Sequence, residues 1–370
     1  MILLNIAFYA FIAVVTIQVI YYLFLFSKFA FLHPKQETPK DIAVSILICA
    51  KNEADNLKKF LPYILNQEYP DFEVVLINDN SHDDTLDIME DFAAKNNNIK
   101  IVNVIPTEAF FGNKKYALTL GIKASKNEFL LFTDADCQPN SKYWLQEMSA
   151  HFNQTKTIVL GYGAYTKIKN SFLNKLIRFE TLLTALQYFS YAKSGIPFMG
   201  VGRNLAYKKE VFFNANGFIN HMQVRSGDDD LFINQVATNK NTSICFTKES
   251  FTISNPKTTF KDWLLQKRRH VSTAKHYKAT HKTLLALFYI SQFLFWTLAI
   301  TLLITTYSWQ IVLPIFLLRI LIFYIVFGKT SKKLDEKDLI IFLPFLEIFL
   351  IGMQLTIFIT NLIAKPKHWK

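Results

Sequence analysis

Acidic residues are the minority charge in this sequence, 29 Asp and Glu against 41 Lys and Arg, yet several of them crowd into short stretches. Thr133-Asp134-Ala135-Asp136-Cys137 sets two carboxylates on either side of one small residue. That spacing can present two oxygens to one hard divalent cation bridging a diphosphate, although a solvated turn is the plainer account of an isolated Asp-x-Asp. Ser226-Gly227-Asp228-Asp229-Asp230 puts three carboxylates ahead of an apolar helical stretch. They repel one another and a helix cap needs only one, so the cluster reads as a site. A third acidic run, Asn78-Asp79-Asn80-Ser81-His82-Asp83-Asp84, follows another apolar segment. The basic counterpart is Gln266-Lys267-Arg268-Arg269-His270. It lies inside 257–283, where eight Lys and Arg face the single Asp262 and supply a net +7 of the chain's +12. Cys49, Cys137 and Cys245 are an odd three without metal-ligand spacing, which argues against a disulfide framework or zinc site and for a reducing compartment.

Carboxylates do chemistry only when rigid elements hold them, and the pattern between the acidic runs supplies such elements. Ala43 to Cys49 reads as a buried strand and Glu53 to Asn66 as a helix. Phe72 to Ile77 is a strand, and Asp83 to Lys95 a helix with Asp and Ser in position to cap it. Ile101 to Ile105 is a third strand, Asn113 to Ala124 a helix, and Phe129 to Phe132 a fourth strand. This alternation predicts an α/β domain with a mostly parallel, helix-covered sheet, whose ligands bind beyond the carboxyl ends of the strands. Asp79 and the Asp134/Asp136 pair follow two of those ends.

Half of the residues are apolar and 15% are aromatic, and this excess is unevenly distributed. Ile2 to Phe26 has no charged side chain and is long enough to cross a membrane. Lys28, Lys35 and Lys40 follow it, which sends the amino terminus outside and the next segment to the cytoplasm. Further spans are expected near 284–305 and 311–328, with a third apolar run from Leu339 to Ala364. Between the last two, Lys329, Lys332, Lys333 and Lys337 mark a cytoplasmic loop. Counting then sends Lys365, Lys367 and Lys370 outside, against the positive-inside rule. Either the tail is an exception, or one carboxy-terminal segment, foremost that with Pro344 and Glu347, is re-entrant or interfacial. Arg319 and Glu347 lie within apolar runs, as a mutual ion pair or near a lipid headgroup or substrate. The stretch Ser171 to Lys193 carries Phe172, Leu176, Phe179, Leu183 and Leu186 on one stripe; with the basic segment it reads as an in-plane interface helix or as a core helix.

The motif set resembles the membrane-bound family-2 glycosyltransferases, the GT-A-fold group that includes cellulose-synthase-like and ceramide-glucosyltransferase-like enzymes. The resemblance covers nearly the whole chain and implies four parts. These are an amino-terminal transmembrane helix (1–32), a cytoplasmic GT-A, Rossmann-like domain (33–256), a basic interface segment (257–283) and carboxy-terminal transmembrane helices (284–370). It also implies that Ala50-Lys51-Asn52-Glu53 matches a nucleotide-contacting turn, with Lys where Arg is frequent, so Ala50, Asn52 and Glu53 would bind donor. Asp79 matches the aspartate that hydrogen-bonds the donor base, and Lys114 the lysine near the nucleotide, with Asn113 inserted after Gly112. Asp134 and Asp136 match the Mg²⁺- or Mn²⁺-binding pair, Asp134 also counting among the donor contacts. Gly200 to Asn204 matches the sugar-pocket segment, with Gly202 and Asn204 in the pocket. Asp228-Asp229 matches the motif whose second carboxylate is the general base, with Asp230 as the alternative. Gln266 and Arg269 match a diphosphate-binding motif in which His270 replaces the usual acceptor-stacking Trp.

The activity implied is inverting transfer of a sugar, in a single displacement, from a nucleoside-diphosphate donor, UDP-linked foremost, to a hydroxyl of a membrane-associated lipid or glycan. The His270 departure, only three carboxy-terminal spans and no gating sequence between 271 and 283 favour a lipid-linked or single acceptor over polymer export. The expected setting is an integral membrane protein of a bacterial inner (cell) membrane, with membrane lipids as partners. A polyprenyl-phosphate sugar transferase is the alternative within enzymes, and a transporter with a nucleotide-sensing domain the alternative outside them. No nucleic-acid partner is expected, because the basic residues adjoin a span instead of forming an aromatic-interleaved surface.

Overall fold

The computed structural model describes residues 1–35, 37–105, 114–224 and 226–363. The chain starts in the long apolar helix α1 (Ile2–Ala30), which takes a π-helical turn at Tyr21–Phe26. It continues through β1 (Val44–Ala50), α2 (Ala54–Leu65), β2 (Phe72–Asn78), α3 (Thr85–Lys95) and β3 (Ile99–Asn103). Next come α4 (Lys114–Ala124), β4 (Phe129–Asp134), β5 (Cys137–Pro139), α5 (Trp144–Ala150), β6 (Ile158–Leu160) and β7 (Gly163–Tyr165). After α6 (Phe172–Lys193) follow β8 (Leu205–Lys208), α7 (Lys209–Asn214), α8 (Asp230–Val236), β9 (Thr242–Ile244) and β10 (Thr252–Ser254). The chain then runs through α9 (Phe260–Val271), α10 (Ala279–Ile304), α11 (Trp309–Lys333) and α12 (Leu343–Ile363). Two compact units result. A sheet unit takes Pro34–Lys167 and Gly195–Pro256, and a helical unit takes Met1–His33, Ile168–Ser194 and the described chain from Lys257 to Ile363. The stretch expected to be one continuous domain over 33–256 is therefore interrupted by α6.

In the sheet unit, β1 is central because its run Val44-Ser45-Ile46-Leu47-Ile48 is buried on both faces, as a helix-covered parallel strand requires. It pairs in parallel with β2 and β4, and β2 pairs in parallel with β3. The strand order is β3-β2-β1-β4-β8-β6-β9, with β8 antiparallel to both β4 and β6. Ile46, Ile48, Leu57, Leu61, Val74, Leu76, Trp144 and Met148 share its core. Two buried polar residues set the register: Ser45 Oγ donates to Glu73 Oε1 at 2.5 Å, and Glu73 accepts the Lys126 N–H at 2.6 Å. Glycine at 121 lets α4 lie on the sheet, since a Cβ there would come 2.2 Å from Ile77. A second sheet, β5-β10-β7, consists of three-residue strands that the sequence pattern does not reveal. The expected start of α4 at Asn113, with Gly112, lies outside the described residues, as do Ala364, Lys365, Lys367 and Lys370.

In the helical unit, Phe11 stacks on Phe295, and Phe295 on Phe316, at the junction of α1, α10 and α11. Among the described residues, four helices are long and apolar enough to cross a membrane, which supports membrane association. Arg319 and Glu347 form a bidentate ion pair at 2.9 and 2.6 Å, which resolves their alternatives in favour of mutual pairing. Of the lysines expected in a 328–338 loop, Lys329, Lys332 and Lys333 instead end α11, where Lys333 donates to the carbonyls of Phe29, Ala30 and Leu32, and Lys337 starts a short 3-10 turn. The interface-helix alternative for α6 is also corrected. Leu173, Ile177, Leu182 and Tyr188 are buried beside the apolar stripe, and a narrow face with Glu180, Thr184 and Gln187 keeps part of its surface, which favours the core-helix alternative. Only Trp263 is buried on α9, whose start is capped reciprocally by Thr259 and Asp262.

Candidate active site

The loops after β1 and β2 are laced together by short polar side chains. Asn52, held at a left-handed φ of 55° that asparagine tolerates, accepts the His82 N–H at 2.8 Å. Its own N–H donates to Ser81 Oγ at 3.0 Å, and the Glu53 N–H donates to Thr85 Oγ1 at 2.9 Å. Asp83 accepts from Thr85 and from the Ala54 N–H, so the start of α3 is tied to the start of α2. The Ala50 carbonyl accepts the Asp79 N–H at 2.9 Å, which fixes that aspartate, buried to 5% exposure, beside the end of β1. Burial raises the Asp79 carboxyl against the pull of Lys51 and Lys114.

Beyond the ends of β1 and β4 lies a pocket lined by Cys49, Lys114, Phe132, Asp134, Gly202, Tyr207, Asp228 and Asp229 among others, all from the sheet unit. Lys114, on the first turn of α4, bridges the two acidic groups: its ammonium is 3.0 Å from Asp134 Oδ1 and 3.2 Å from Asp228 Oδ2. Burial alone would lower this lysine, but the two carboxylates hold it well above its ordinary value. Asp134 shows the reciprocal effect, raised by burial yet held below the usual carboxylate range by Lys114. Asp136 is raised by burial and by the neighbouring Asp134.

The ligand atoms of Asp134, Asp136 and Cys137 lie within 4.8 Å of one another, and the Cys137 thiol donates to Asp136 Oδ1 at 3.4 Å. Two crowded carboxylates of which one is forced upward form an oxygen donor set that a hard divalent cation would relieve, so the residues fit such an ion. Arg203 is a functional neighbour that sequence reasoning missed. Its guanidinium donates to Gly163 O, Ala164 O and Ser254 Oγ and lies 4.2 Å from the Tyr165 ring centroid. Those acceptors are neutral, and its charge acts on Asp134 and Asp136. The only sequence signal was a basic residue inside the glycine-containing Gly200–Asn204 segment.

Asp229 sits at the start of α8. Its Oδ2 accepts the Gly202 N–H and its Oδ1 accepts the Asp230 N–H, each at 2.7 Å. Burial, then Asp228, then Asp230 push its carboxyl up to about 7, against those two amides. Gly202 must be small, because a Cβ there would stand 3.3 Å from Asp229 Oδ2. Gly227 supplies the left-handed turn, φ 97°, that brings the acidic run round to the helix. Asp230, the first residue of α8, is buried, accepts the Leu231 N–H and is not among the residues lining the pocket.

One expected pocket residue of the sheet unit, Asn204, does not line this pocket. Asn204 is fully buried, with its amide donating to Tyr162 O and Ser250 O while its Oδ1 accepts the Trp144 indole N–H. It holds the wall of the pocket together and is not among its lining. Gln266, Arg269 and His270 belong to α9 of the helical unit. Lys115, next to Lys114, is a second missed residue: fully buried, it donates to His221 O and Val224 O at 2.7 and 2.8 Å, just before the acidic run.

The sequence matches the family model for glycosyl transferase family 2 over residues 45–214 and that for glycosyl transferase family group 2 over residues 134–327. Curated relatives include poly-β-1,6-N-acetyl-D-glucosamine synthase of Staphylococcus epidermidis, 34% identical over 28% of this chain and 24% of the relative. They also include the probable glycosyltransferase YdaM of Bacillus subtilis, 29% identical over 48% of this chain and 45% of the relative. The matched regions thus span about a quarter to a half of these relatives' lengths. A mannosyltransferase of Pyrobaculum calidifontis, solved with GDP-Man and Mn²⁺, shares the fold at TM-score 0.59 and 18% identity, over 90% of this chain and 99% of that one. Strand order, the carboxylates beyond the strand ends and a family match across more than half of the sequence agree, and the chain belongs to the family 2 glycosyltransferases, with a GT-A-fold sheet unit.

Proposed function

We propose that this glycosyltransferase is inverting and metal-dependent. It would move a sugar from a nucleoside-diphosphate donor, UDP-linked foremost, to a hydroxyl of a membrane-associated lipid or glycan. The observation that carries this reading is the position of Asp229. It is held by two backbone amides, raised to about 7, and faces the same pocket as Lys114 and Asp134. A carboxylate tuned to that value is ionised near neutrality yet basic enough to take a proton in the transition state. The acceptor hydroxyl gives its proton to Asp229 while its oxygen bonds to the anomeric carbon. The bond from that carbon to the diphosphate oxygen breaks on the opposite face, and the electron pair leaves with the nucleoside diphosphate.

Asp134 and Asp136 would hold the Mg²⁺ or Mn²⁺ ion, whose chemistry when bound is to offset charge on the departing diphosphate. Lys114, placed between Asp134 and Asp228, carries positive charge to the same region, and Asp79 would hold the base. Gln266, Arg269 and His270 stay proposed contacts to diphosphate and acceptor from α9. The basic flanks of the apolar helices favour a cell membrane with the sheet unit in the cytoplasm.

The test uses membranes holding the full-length chain, incubated with radiolabelled UDP- and GDP-sugars with and without Mg²⁺ or Mn²⁺, followed by extraction of lipid and glycan products. Metal-dependent transfer, and its loss in Asp229→Asn by about 10²–10⁴-fold with donor binding retained, is the expected result. Near-normal turnover of Asp229→Asn would instead identify an acceptor that is already ionised, a polyprenyl phosphate. Absence of transfer and of nucleoside diphosphate release from every donor would overturn the assignment.

A further inference from the structure

Length and composition allow four helices to cross a membrane, but a crossing helix must also carry its two ends to opposite ends of the bundle. Side-chain contacts mark those ends. At one, the Tyr307 hydroxyl donates to Asn5 Oδ1, and the Phe8 and Tyr307 rings meet at 6.3 Å. At the other, Lys333 on the last turn of α11 donates to Ala30 O at 3.2 Å, and the Tyr21 hydroxyl donates to Leu284 O, near the start of α10, at 2.7 Å. Helices α1, α10 and α11 each run from one set of contacts toward the other.

Helix α12 does not. Its first turn lies partway along the bundle, where Glu347 pairs with Arg319 and accepts from Gln292 at 2.9 Å and from Trp296 at 3.1 Å. Arg319 itself is roughly 15 Å along α11 from its start at Trp309. One turn further on, Ile351 O accepts from the Tyr289 hydroxyl at 3.3 Å, a position closer to the start of α10. At the last turns, Asn361 accepts from Arg268 Nε at 2.9 Å and donates to Arg268 O at 3.2 Å, on α9, the helix that precedes α10 in the chain. Going up α12 therefore means going down α10.

We propose that residues 337–363 form a re-entrant segment. The chain crosses the membrane three times, in α1, α10 and α11, and α12 returns its carboxyl end to the side on which it set out. The chemistry supports a segment that stops partway. The entering turn, Lys337–Phe342, is a 3-10 helix and so pairs backbone groups within itself; Leu339 and the following Leu343 are fully buried, while Ile341 and Phe342 are apolar side chains on its exposed side. A carboxylate at such a depth needs every oxygen satisfied, and Arg319, Gln292 and Trp296 do this for Glu347. The placement also removes the conflict with the positive-inside rule, because Lys365, Lys367 and Lys370 then follow a helix that ends beside Arg268.

Cysteines introduced one at a time as Lys261→Cys, Ser308→Cys and Lys370→Cys, in the full-length chain with Cys49→Ser as background and the native Cys137 and Cys245 buried, test this in sealed membrane vesicles of one orientation. A membrane-impermeant maleimide is applied before and after the vesicles are opened. Lys370→Cys is expected to label with Lys261→Cys and opposite to Ser308→Cys. Labelling from the Ser308→Cys side, wholly or in part, overturns the proposal. A short epitope added after Lys370 of the otherwise unaltered chain gives the same answer by antibody access or protease removal, independent of whether any variant folds.

Discussion

At the residue scale the proposed chemistry rests on one aspartate whose ordinary behaviour the fold has changed. Asp229 is lifted to about 7 by burial and by its two acidic neighbours, so its ionised fraction rises through neutrality. Turnover with saturating donor should therefore climb about tenfold per pH unit up to pH 7 and level off above it. The stability consequence has the opposite sign. A carboxyl whose folded pKa exceeds its unfolded value favours the folded state at low pH and loses that contribution as pH rises through the interval from about 4 to 7. Asp229→Asn should thus be inactive yet more resistant to heat than the parent at pH 8, with the difference shrinking toward pH 4. Melting curves across pH measure this, and equal stability at pH 8 would mean that Asp229 is not raised. The acidic pairs themselves were legible in the sequence, because three adjacent carboxylates and an Asp-x-Asp are poor choices for bare turns. Arg203 and Lys115 were not, since a single basic residue carries no spacing signal and its role depends on which carbonyls the fold brings to it.

At the element scale the parallel strands were legible because their apolar runs are buried on both faces and are bounded by polar loops. In the sheet unit the expected strand and helix limits from β1 to β4 fall within about two residues of those observed, while the apolar helices α10 and α11 run up to five residues longer than expected, α10 starting at Ala279 and α11 ending at Lys333. The three-residue strands β5, β7 and β10 are too short for any period to register. Asn204 shows the difference between a motif position and a role. The resemblance puts it in the sugar pocket, while its side chain ties Tyr162, Ser250 and Trp144 together. Asn204→Leu would take away the partner of the Ser250 carbonyl and of the Trp144 indole N–H, at about 1–3 kcal/mol each at most, while the Tyr162 carbonyl keeps the Thr252 N–H. A melting temperature lowered by several degrees with donor affinity unchanged is expected, and lost donor affinity without lost stability would return Asn204 to the pocket. Helix α6 was read from one stripe, and a stripe says nothing of what covers the opposite face. Within the helical unit its Arg178 grips Glu336 and Asp338, with Glu336 nearly fully buried. Arg178→Met should cost about 3–5 kcal/mol by stranding the Glu336 charge, and Glu336→Gln in the same chain should recover much of it.

At the scale of the whole molecule, the apolar excess that fills the long helices also sets the problem of how charges survive among them. Arg319 and Glu347 are both buried to 1% exposure or less, and Gln18, Tyr22, Gln292 and Trp296 complete their hydrogen bonds. Rings of Phe295 and Phe323 flank the guanidinium at 4.3 and 4.9 Å. The sequence announced two charges in apolar runs, but only packing shows that they meet, because their partners come from four different helices. Such a pair contributes little to net stability when intact, since desolvation offsets attraction, yet it penalises the loss of either partner. Glu347→Leu and Arg319→Leu should each lower the detergent-solubilised protein's stability by about 3–5 kcal/mol, while the double replacement should cost clearly less than the sum. A double-mutant cycle read from thermal unfolding supplies the coupling, and strict additivity would mean that the two charges act separately. The cycle also bears on α12, because a helix that stops partway through the bundle depends on this pair more than a helix anchored at both membrane faces. Charge removal at 347 should therefore loosen the contact between Asn361 and Arg268 as well, read as faster amide exchange in the last turns of α12.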